Sequence, residues 1–180
     1  MITDDPQDTN GRSQQAQGPA VVLFELTDPG AAGEDMEILD QDVVHLGSES
    51  FSARRVLVNL DKSMFVYHSV SHRVRTRTRV HPALMAMVVV GPESRASFDG
   101  RDVDSKVLVA GEPGAEVEIV TEEGYESIVL MISPEEFTQH LRQRGRDDAF
   151  RMPIGTEVWH SSESELRELF EIGKRLAETA

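Results

Sequence analysis

The sequence predicts a mainly β fold of the α+β class, in which an antiparallel β-barrel or sandwich is followed by two helices. Between about residues 51 and 132, apolar residues occur in short alternating segments that are separated by turns rich in Gly, Pro and Asp. After Ser133 the apolar spacing becomes that of helices. The predicted organisation is a tail (1–18), a barrel (19–133) and a helical C-terminal part (134–180).

Composition excludes several classes of function. The 180 residues suffice for one domain with a core and a tail, and the net charge is −14. So acidic a chain is a poor candidate for binding nucleic acid, because contact with phosphates requires Lys and Arg. The absence of cysteine excludes disulfides, thiolate catalysis and cysteine-based zinc sites. We recognise no signal peptide and no apolar run of membrane-spanning length, so we expect a cytoplasmic protein.

The N-terminal third contains three predicted elements. Residues 1–18 are polar and rich in Gln and Asp, so we expect them to be disordered. Val21–Leu26 is the first predicted strand, and Asp28-Pro29-Gly30 ends it. Residues 34–46 carry Met36, Leu39, Val43 and Leu46 at near-helical spacing, which predicts a short helix closed by Gly47.

The middle of the chain is predicted to be all strand. Residues 56–60, 64–70 and 74–80 follow one another with short turns, which favours an antiparallel meander. Leu84–Val90 is apolar enough for a central strand. Asp99-Gly100 lies between two short segments and predicts a hairpin with a type I′ turn. Further strands are predicted at 107–110, 117–120 and 127–132.

The C-terminal part is predicted to contain two helices separated by an irregular segment, 146–160. Ser133-Pro134-Glu135-Glu136 is a typical helix start, and Gly145 ends that helix. The last helix begins after Ser161 or Ser162. One of its faces carries an apolar stripe that either packs on its own domain or forms the contact of a homodimer. The stripe consists of Leu166, Leu169, Phe170, Gly173 and Leu176.

The usual catalytic and metal-binding patterns are missing from the sequence. Six histidines are present, but the four-residue spacing of His68 and His72 falls in a strand region, where it does not place both on one helix face. No nucleophile elbow or phosphate-binding loop is found. We therefore expect no catalytic residue, no metal site and no cofactor.

An arginine ladder is the most unusual feature of the chain. Arg73, Arg75, Arg77 and Arg79 alternate along one predicted strand, so all four lie on one face. That face is either solvated and paired with acids of neighbouring strands, a pocket wall that binds an anion, or a contact for a partner.

Two aromatic residues complete the set of candidate ligand-binding residues, Tyr67 and Trp159. Trp159 either packs on the barrel or covers a pocket. Large side chains in the barrel, namely Phe65, Tyr67, Met85 and Met87, could instead fill its interior and leave no cavity.

Several segments between Phe51 and Phe137 together resemble a known family. They are the strand that begins Phe-Ser-Ala-Arg-Arg-Val, the basic strand Arg73-Val74-Arg75-Thr76-Arg77, the hairpin over residues 96–103, the turn Glu112-Pro113-Gly114-Ala115-Glu116, and the helix start Ser-Pro-Glu-Glu-Phe. This combination resembles the N-terminal, cupin-like regulatory domain of AraC-type transcription regulators.

The resemblance implies a cupin-like β-barrel, or jelly roll, that senses a small-molecule effector, forms a homodimer, or does both. DNA would be bound only by a helix-turn-helix part outside these 180 residues. Metal-dependent cupin enzymes carry a histidine-rich motif that is missing here, and Glu116 and Val117 stand where a later histidine is expected. A cupin-type enzyme without the standard metal motif and a purely structural dimerisation module remain the alternatives.

Overall fold

The computed structural model describes residues 21–32, 40–146 and 150–179. Within these ranges the chain forms twelve β-strands, one short 3-10 helix at Pro29–Ala32 and two α-helices. The strands are β1 (Val21–Leu26), β2 (Asp40–His45), β3 (Ala53–Asn59), β4 (Ser63–Val70), β5 (Val74–Arg79), β6 (Met85–Val90), β7 (Ala96–Phe98), β8 (Arg101–Val103), β9 (Val107–Gly111), β10 (Glu116–Thr121), β11 (Glu126–Ile132) and β12 (Thr156–His160). The α-helices are α1 (Pro134–Gln143) and α2 (Glu163–Thr179).

The strands of the described residues build a jelly roll from two antiparallel sheets. The large sheet has the order β1-β3-β4-β11-β6-β9-β12, and the small sheet has the order β2-β5-β10-β7-β8. If β4 to β11 are numbered one to eight, the two sheets contain the runs 1-8-3-6 and 2-7-4-5. This is the double Greek-key pairing of jelly rolls, the architecture that cupins share. The predicted fold class is thereby confirmed.

Strand pairing confirms one local prediction and corrects another. The hairpin of β7 and β8 turns at Asp99 and Gly100, whose φ angles of 49° and 75° are both positive, as a type I′ turn requires. The predicted meander holds for β3 and β4 but is wrong for β5, which pairs with β2 and β10 in the small sheet. The large sheet around β4 is buried on both faces, whereas β5 has one charged face that must remain in water.

The helix predicted over residues 34–46 is wrong where the structure describes it. Residues 40–45 form strand β2, which pairs along its length with β5. Val43 packs on the core cluster between the sheets, so cross-strand pairing and burial override the helical spacing. Residues 33–39 and the predicted tail 1–18 lie outside the described residues.

The segment predicted to be irregular, 146–160, is corrected at its C-terminal end. Residues 156–160 form β12, which pairs with β9 at the edge of the large sheet. Val158 packs on the core while Trp159 faces the other side, which is ordinary strand alternation. Helix α1 therefore lies between β11 and β12, and α2 follows the last described strand. Ser133 precedes α1 without the side-chain capping bond that the sequence predicts.

Helix α2 covers the outer face of the large sheet. Leu166, Phe170 and Ala177 are buried there against strands β3, β4, β6 and β11. Gly173 lets the helix approach closely, because a Cβ atom at this position would lie 2.8 Å from Phe65 Cε2 and 2.9 Å from Ile128 Cγ2. The large sheet is thus buried on both sides, by α2 outside and by the small sheet inside.

A cavity between the two sheets

The jelly roll encloses a cavity of about 110 Å³ between its sheets. Both sheets contribute to its wall through the side chains that point inward. Its lining includes Gln41, Arg55, His68, Thr76, Thr78, Thr121, Tyr125, Ser127 and Thr156 among polar residues, and Val66, Ala86, Val88, Phe98, Val109, Gly111, Val117, Ile119, Val129 and Met131 among apolar ones. The wall is therefore mostly apolar with a few placed polar groups, as in small-molecule sites.

Three residues that lie side by side on the large sheet form the polar end of the cavity. Arg55 in β3 is directly opposite His68 in β4, and His68 is directly opposite Ser127 in β11. Arg55 is only 4% exposed, and its Nη2 donates a 2.9 Å hydrogen bond to Gln41 Oε1 in the small sheet. This bond joins the two sheets at the polar end.

Burial sets the charges of this end. It lowers the pKa of Arg55 to about 10, so the guanidinium keeps its proton at neutral pH. Burial, followed by the positive charge of Arg55, lowers the pKa of His68 to about 3, so this imidazole is neutral. A positive guanidinium thus lies beside a neutral ring that can both donate and accept hydrogen bonds.

Threonine hydroxyls line other parts of the wall. Thr78 Oγ1 on the small sheet and Thr156 Oγ1 on the large sheet are buried and have no hydrogen-bond partner among the described residues. Thr121 differs, because its hydroxyl accepts a 3.4 Å bond from the Val74 amide. Buried polar atoms are normally paired, so Thr78 and Thr156 present hydroxyls that a bound molecule could satisfy.

The cavity exists because strand register directs the large side chains elsewhere. Phe65 and Tyr67 lie on the outer face of β4, in the cluster under α2. The inner positions of β6 and β9 carry small residues instead, such as Ala86 and Gly111. The filled interior that these aromatic residues could have produced is therefore not what the structure shows.

The arginine ladder lies on the outer face of the small sheet, away from the polar end of the cavity. Arg77 Nε bonds Glu118 Oε2 at 2.8 Å, Arg73 Nε lies 3.4 Å from Glu122 Oε1, and Arg79 pairs with Glu116. These three arginine side chains are 55–62% exposed. Arg79 also reaches the edge of the cavity, and Arg75 shares the outer face. The inward positions of the same strand are Val74, Thr76 and Thr78.

Tyr67 and Trp159 both lie outside the cavity wall. The Tyr67 hydroxyl donates a 2.5 Å hydrogen bond to Glu126 Oε1 under α2. Burial, then the bond to Glu126 and its charge, raise the Tyr67 pKa well above its usual range. Trp159 Nε1 donates to Glu157 Oε2 at 2.8 Å, and its ring packs edge-on against Phe150. Ligand binding by these residues and by the ladder stays a prediction.

The apolar stripe of α2 is divided between the sheet and the surface. Leu166, Phe170 and Gly173 contact the large sheet, and Leu169 packs against the same cluster. Leu176 is 41% exposed, as is its neighbour Ile172 at 49%. The dimer contact predicted for the whole stripe could therefore use only its exposed side.

Sequence reasoning missed the residues at the polar end, although alternation contained a signal for them. In Ala53-Arg54-Arg55-Val56-Leu57-Val58, Arg55 shares a face with Ala53 and Leu57, so one arginine falls on an apolar face. Thr76 and Thr78 likewise alternate with the ladder. Within the described ranges no three His, Asp or Glu side chains converge as they would in a metal site.

Comparisons with known proteins return matches in structure only. No family model and no curated protein matches the sequence. The AraC-like transcriptional activator CuxR is 12% identical, with a TM-score of 0.47 over 68% of this chain and 51% of that one. Vicilin of hazelnut (Corylus avellana) is 11% identical, with a TM-score of 0.32 over 83% and 52%. A Bacillus subtilis oxalate decarboxylase variant is 14% identical, with a TM-score of 0.25 over 67% and 40%.

The chain spans about half the length of the first two of these structures. At such TM-scores the likenesses assign no activity and no ligand to this chain, and the fold assignment stands on the strand order itself. Among the described helices, none has the length and apolar character needed to cross a membrane. The fold is a jelly roll of cupin-like architecture, and it contains an internal cavity of mixed polarity.

Proposed function

We propose that this domain binds a small molecule in the cavity between its sheets and transmits occupancy to helix α2. The cavity at the Arg55–His68–Ser127 row carries this proposal, because buried polar groups facing an apolar space are the features of a ligand site. We propose binding rather than catalysis as its role.

Strand alternation supports the transmission step. His68 faces the cavity, and its chain neighbour Tyr67 faces α2. In β11, Ser127 faces the cavity while Glu126 accepts two 2.9 Å hydrogen bonds from Lys174 of α2. A ligand that shifts these strands toward or away from the small sheet would therefore also shift the anchors of the helix. The ligand shifts the equilibrium between these two positions of the strands only to the extent that it binds one of them more tightly than the other.

The finer form of the proposal is the effector-sensing domain of an AraC-type regulator. Sequence segments that resemble this family support it, as does the placement of α2 on the sheet that walls the cavity. According to this proposal, DNA is bound by helix-turn-helix units that are not among the 180 residues. The net charge of −14 agrees with this, because so acidic a domain would be repelled by DNA phosphates.

A thermal-shift screen of the full 180-residue protein tests cavity binding. The screen uses acids, amides and alcohols of up to about six non-hydrogen atoms, because a cavity of ~150 Å³ accommodates benzene. Ligands of the folded state raise the unfolding midpoint by mass action. We expect a few hits that disappear in Ala86→Leu, which fills the cavity, and persist in Arg77→Met, which changes only the outer face. A flat screen, or hits that survive Ala86→Leu, would overturn the proposal.

A homodimer through α2 is the second part of the proposed regulatory role. Ile172 and Leu176 are one turn apart and exposed, which is the observation that favours it. We expect Ile172→Glu with Leu176→Glu to convert a dimer into a monomer in light scattering, whereas Glu168→Gln on the same helix leaves the mass unchanged. A wild-type monomer at high concentration would contradict the dimer.

A further inference from the structure

We infer that the ligand of the cavity is a small uncharged molecule, an aliphatic amide or alcohol, whose polar head is hydrogen-bonded by Thr78 and Gln41. This inference rests on the proposed cavity binding and names the chemical class that fits it. The observation that carries it is the buried hydroxyl of Thr78, which has no hydrogen-bond partner among the described residues.

The charged side chains in the wall of the cavity are already engaged by the protein itself. Arg55 donates to Gln41 and makes a further interaction besides that bond. Arg79, at the edge of the cavity, is paired with Glu116 on the outer face of the small sheet. The described residues that line the cavity include no Asp or Glu. An ion that entered would therefore lose its hydration without gaining an opposite charge, whereas an uncharged molecule avoids that cost.

Thr78 provides a hydrogen-bonding group that the protein does not use. Its side chain faces the cavity from β5, and its Oγ1 is buried. A hydroxyl both donates and accepts hydrogen bonds, and buried hydroxyls are normally paired. A polar head that reaches Thr78 therefore gains a bond that has no counterpart within the ligand-free protein.

Gln41 adds a second neutral group directly beside Thr78. The two residues are opposite each other in the register of β2 and β5, and both line the cavity. Since Gln41 Oε1 accepts the 2.9 Å bond from Arg55 Nη2, its amide nitrogen is the part that can donate to a ligand. The oxygen of an amide or alcohol would accept from Gln41, and the N–H or O–H of the same head would donate to Thr78.

Thr156 carries the other unpartnered hydroxyl of the wall, but its surroundings are less suitable. Its neighbours in the same row of the large sheet are Gly111 and then Ala86, neither of which has a polar side chain. A head group at Thr156 would thus find one partner in this row, whereas at Thr78 it finds two. The pair of Thr78 and Gln41 is therefore the better anchor.

The facing wall selects for a short apolar body. A row of inward-pointing valines crosses the large sheet there, made of Val66, Val129, Val88 and Val109. An apolar cavity of ~150 Å³ accommodates benzene. The cavity of about 110 Å³ therefore suits a ligand of up to about six non-hydrogen atoms.

Matched charged and uncharged compounds test the class directly. Butyramide is compared with butyrate, and butan-1-ol with butylammonium, by calorimetry on the full wild-type protein. The members of each pair have nearly the same shape, so the comparison isolates the charge. We expect each uncharged compound to bind at least about tenfold more tightly than its charged counterpart, because the wall offers no free opposite charge.

Variants of Thr78 locate the polar head. Thr78→Val keeps the shape but removes the hydroxyl, so it should weaken butyramide binding by roughly fivefold. Thr78→Ser retains the hydroxyl and should keep most of the affinity. The control is Thr138→Val, the same change on helix α1, where the hydroxyl donates to the Pro134 carbonyl; it should leave the affinity unchanged. If Thr78→Val does not fold, the wild-type ratios still decide.

The outcomes separate this inference from the proposed function. Butyrate or butylammonium that binds as tightly as its uncharged counterpart, and is lost in Ala86→Leu, would overturn the uncharged class while leaving cavity binding intact. Butyramide that binds equally well to wild type and Thr78→Val would also overturn the inference, since the hydroxyl would then be satisfied by water only. If none of the four compounds binds and the broader screen is flat, cavity binding itself is wrong.

Discussion

Arg55 and His68 are neighbours inside the protein, yet at neutral pH Arg55 is protonated and charged whereas His68 is neutral. Burial lowers the pKa of each, but Arg55 starts so high that a value near 10 leaves it charged, whereas His68 falls to about 3 and is neutral. The result is a defined arrangement of one cation and one neutral donor at the polar end. Single residues therefore set the chemistry of the cavity.

Replacing His68 should reduce the acid sensitivity of the protein. The unfolded histidine takes up its proton near pH 6.5, and the folded one near pH 3, so the unfolded state binds more protons between these values. The free energy of unfolding therefore falls as the pH falls through this window. In His68→Gln we expect the loss between pH 6.5 and 4.5 to be smaller by about 2 kcal/mol.

Urea unfolding at a series of pH values measures this difference. His160→Gln is the control, because that side chain lies on the exposed end of β12, and it should follow the wild-type profile. Parallel profiles for wild type and His68→Gln would contradict a neutral, buried His68.

Removing the unpartnered hydroxyls should stabilise the ligand-free protein. Thr78→Val and Thr156→Val replace a buried hydroxyl that has no partner among the described residues by a methyl group of the same shape. We expect each change to raise the free energy of unfolding by about 1 kcal/mol, since the cost of desolvating the hydroxyl disappears. Thr121→Val, which removes the acceptor of the Val74 amide, should lower it instead. Denaturant titrations of the three variants measure whether the free energy of unfolding rises or falls in each.

At the scale of elements, α2 is held by close packing more than by its own helical tendency. Phe170, only 1% exposed, reaches the cluster of Val56, Phe65 and Ile128 on the large sheet. Burying a side chain of this kind contributes about 1.5–3 kcal/mol. Gly173 lowers the intrinsic stability of the helix but permits the approach that makes this burial possible.

Gly173→Ala should therefore destabilise the protein although alanine favours helices. The new Cβ would collide with Phe65 and Ile128, and overpacking of this kind costs about 1–3 kcal/mol against a gain of about 1 kcal/mol in propensity. We expect a net loss of roughly 1 kcal/mol in chemical denaturation. Adding Ile128→Val, which removes the Cδ1 atom that lies 3.0 Å from the position of the new Cβ, should make the two changes less than additive. A stabilised Gly173→Ala protein would show that α2 adjusts freely.

For the whole molecule, the large sheet is the part that connects inside and outside. Its inner face forms the cavity, and its outer face holds α2 through apolar packing and through the bonds of Glu126 to Tyr67 and Lys174. The small sheet has no such double role among the described residues, because its outer face is charged and exposed. The proposed signal from the cavity to α2 would therefore pass through the large sheet.

Glu126→Gln should loosen α2 without opening the jelly roll. The substitution removes the charge that attracts Lys174 and weakens the acceptor of Tyr67, both partly buried contacts, so we expect a loss of about 1–2 kcal/mol. Hydrogen exchange should become faster in α2 and remain slow in β6 and β9. Glu163→Gln removes a 3.6 Å exposed pair with Arg167 on the same helix and serves as the control, with little expected effect. Equal exchange in both variants would argue against the anchoring role.

The fold class and most of the strands could be predicted from the sequence, because period-two alternation and turn chemistry are local properties. The Asp99-Gly100 turn shows this most clearly, since its positive φ angles depend only on the two residues that form it. The boundaries of β1 and the extent of the hairpin over residues 96–103 could be predicted in the same way. The apolar stripe of α2 was also predictable, although not the surface that it would cover.

The directions in which the arginine ladder, the aromatic residues and the buried arginine face depend on how the two sheets pack, and the sequence did not predict them. Alternation assigns residues to two faces of a strand, but it does not say which face turns toward the other sheet. That choice placed Arg55, His68 and Thr78 inside and the ladder outside. It also turned residues 40–45 and 156–160 into strands, because pairing with β5 and β9 buries Val43 and Val158. Long-range pairing and burial outweigh local spacing in such segments, and no pattern within them reveals the partner strand.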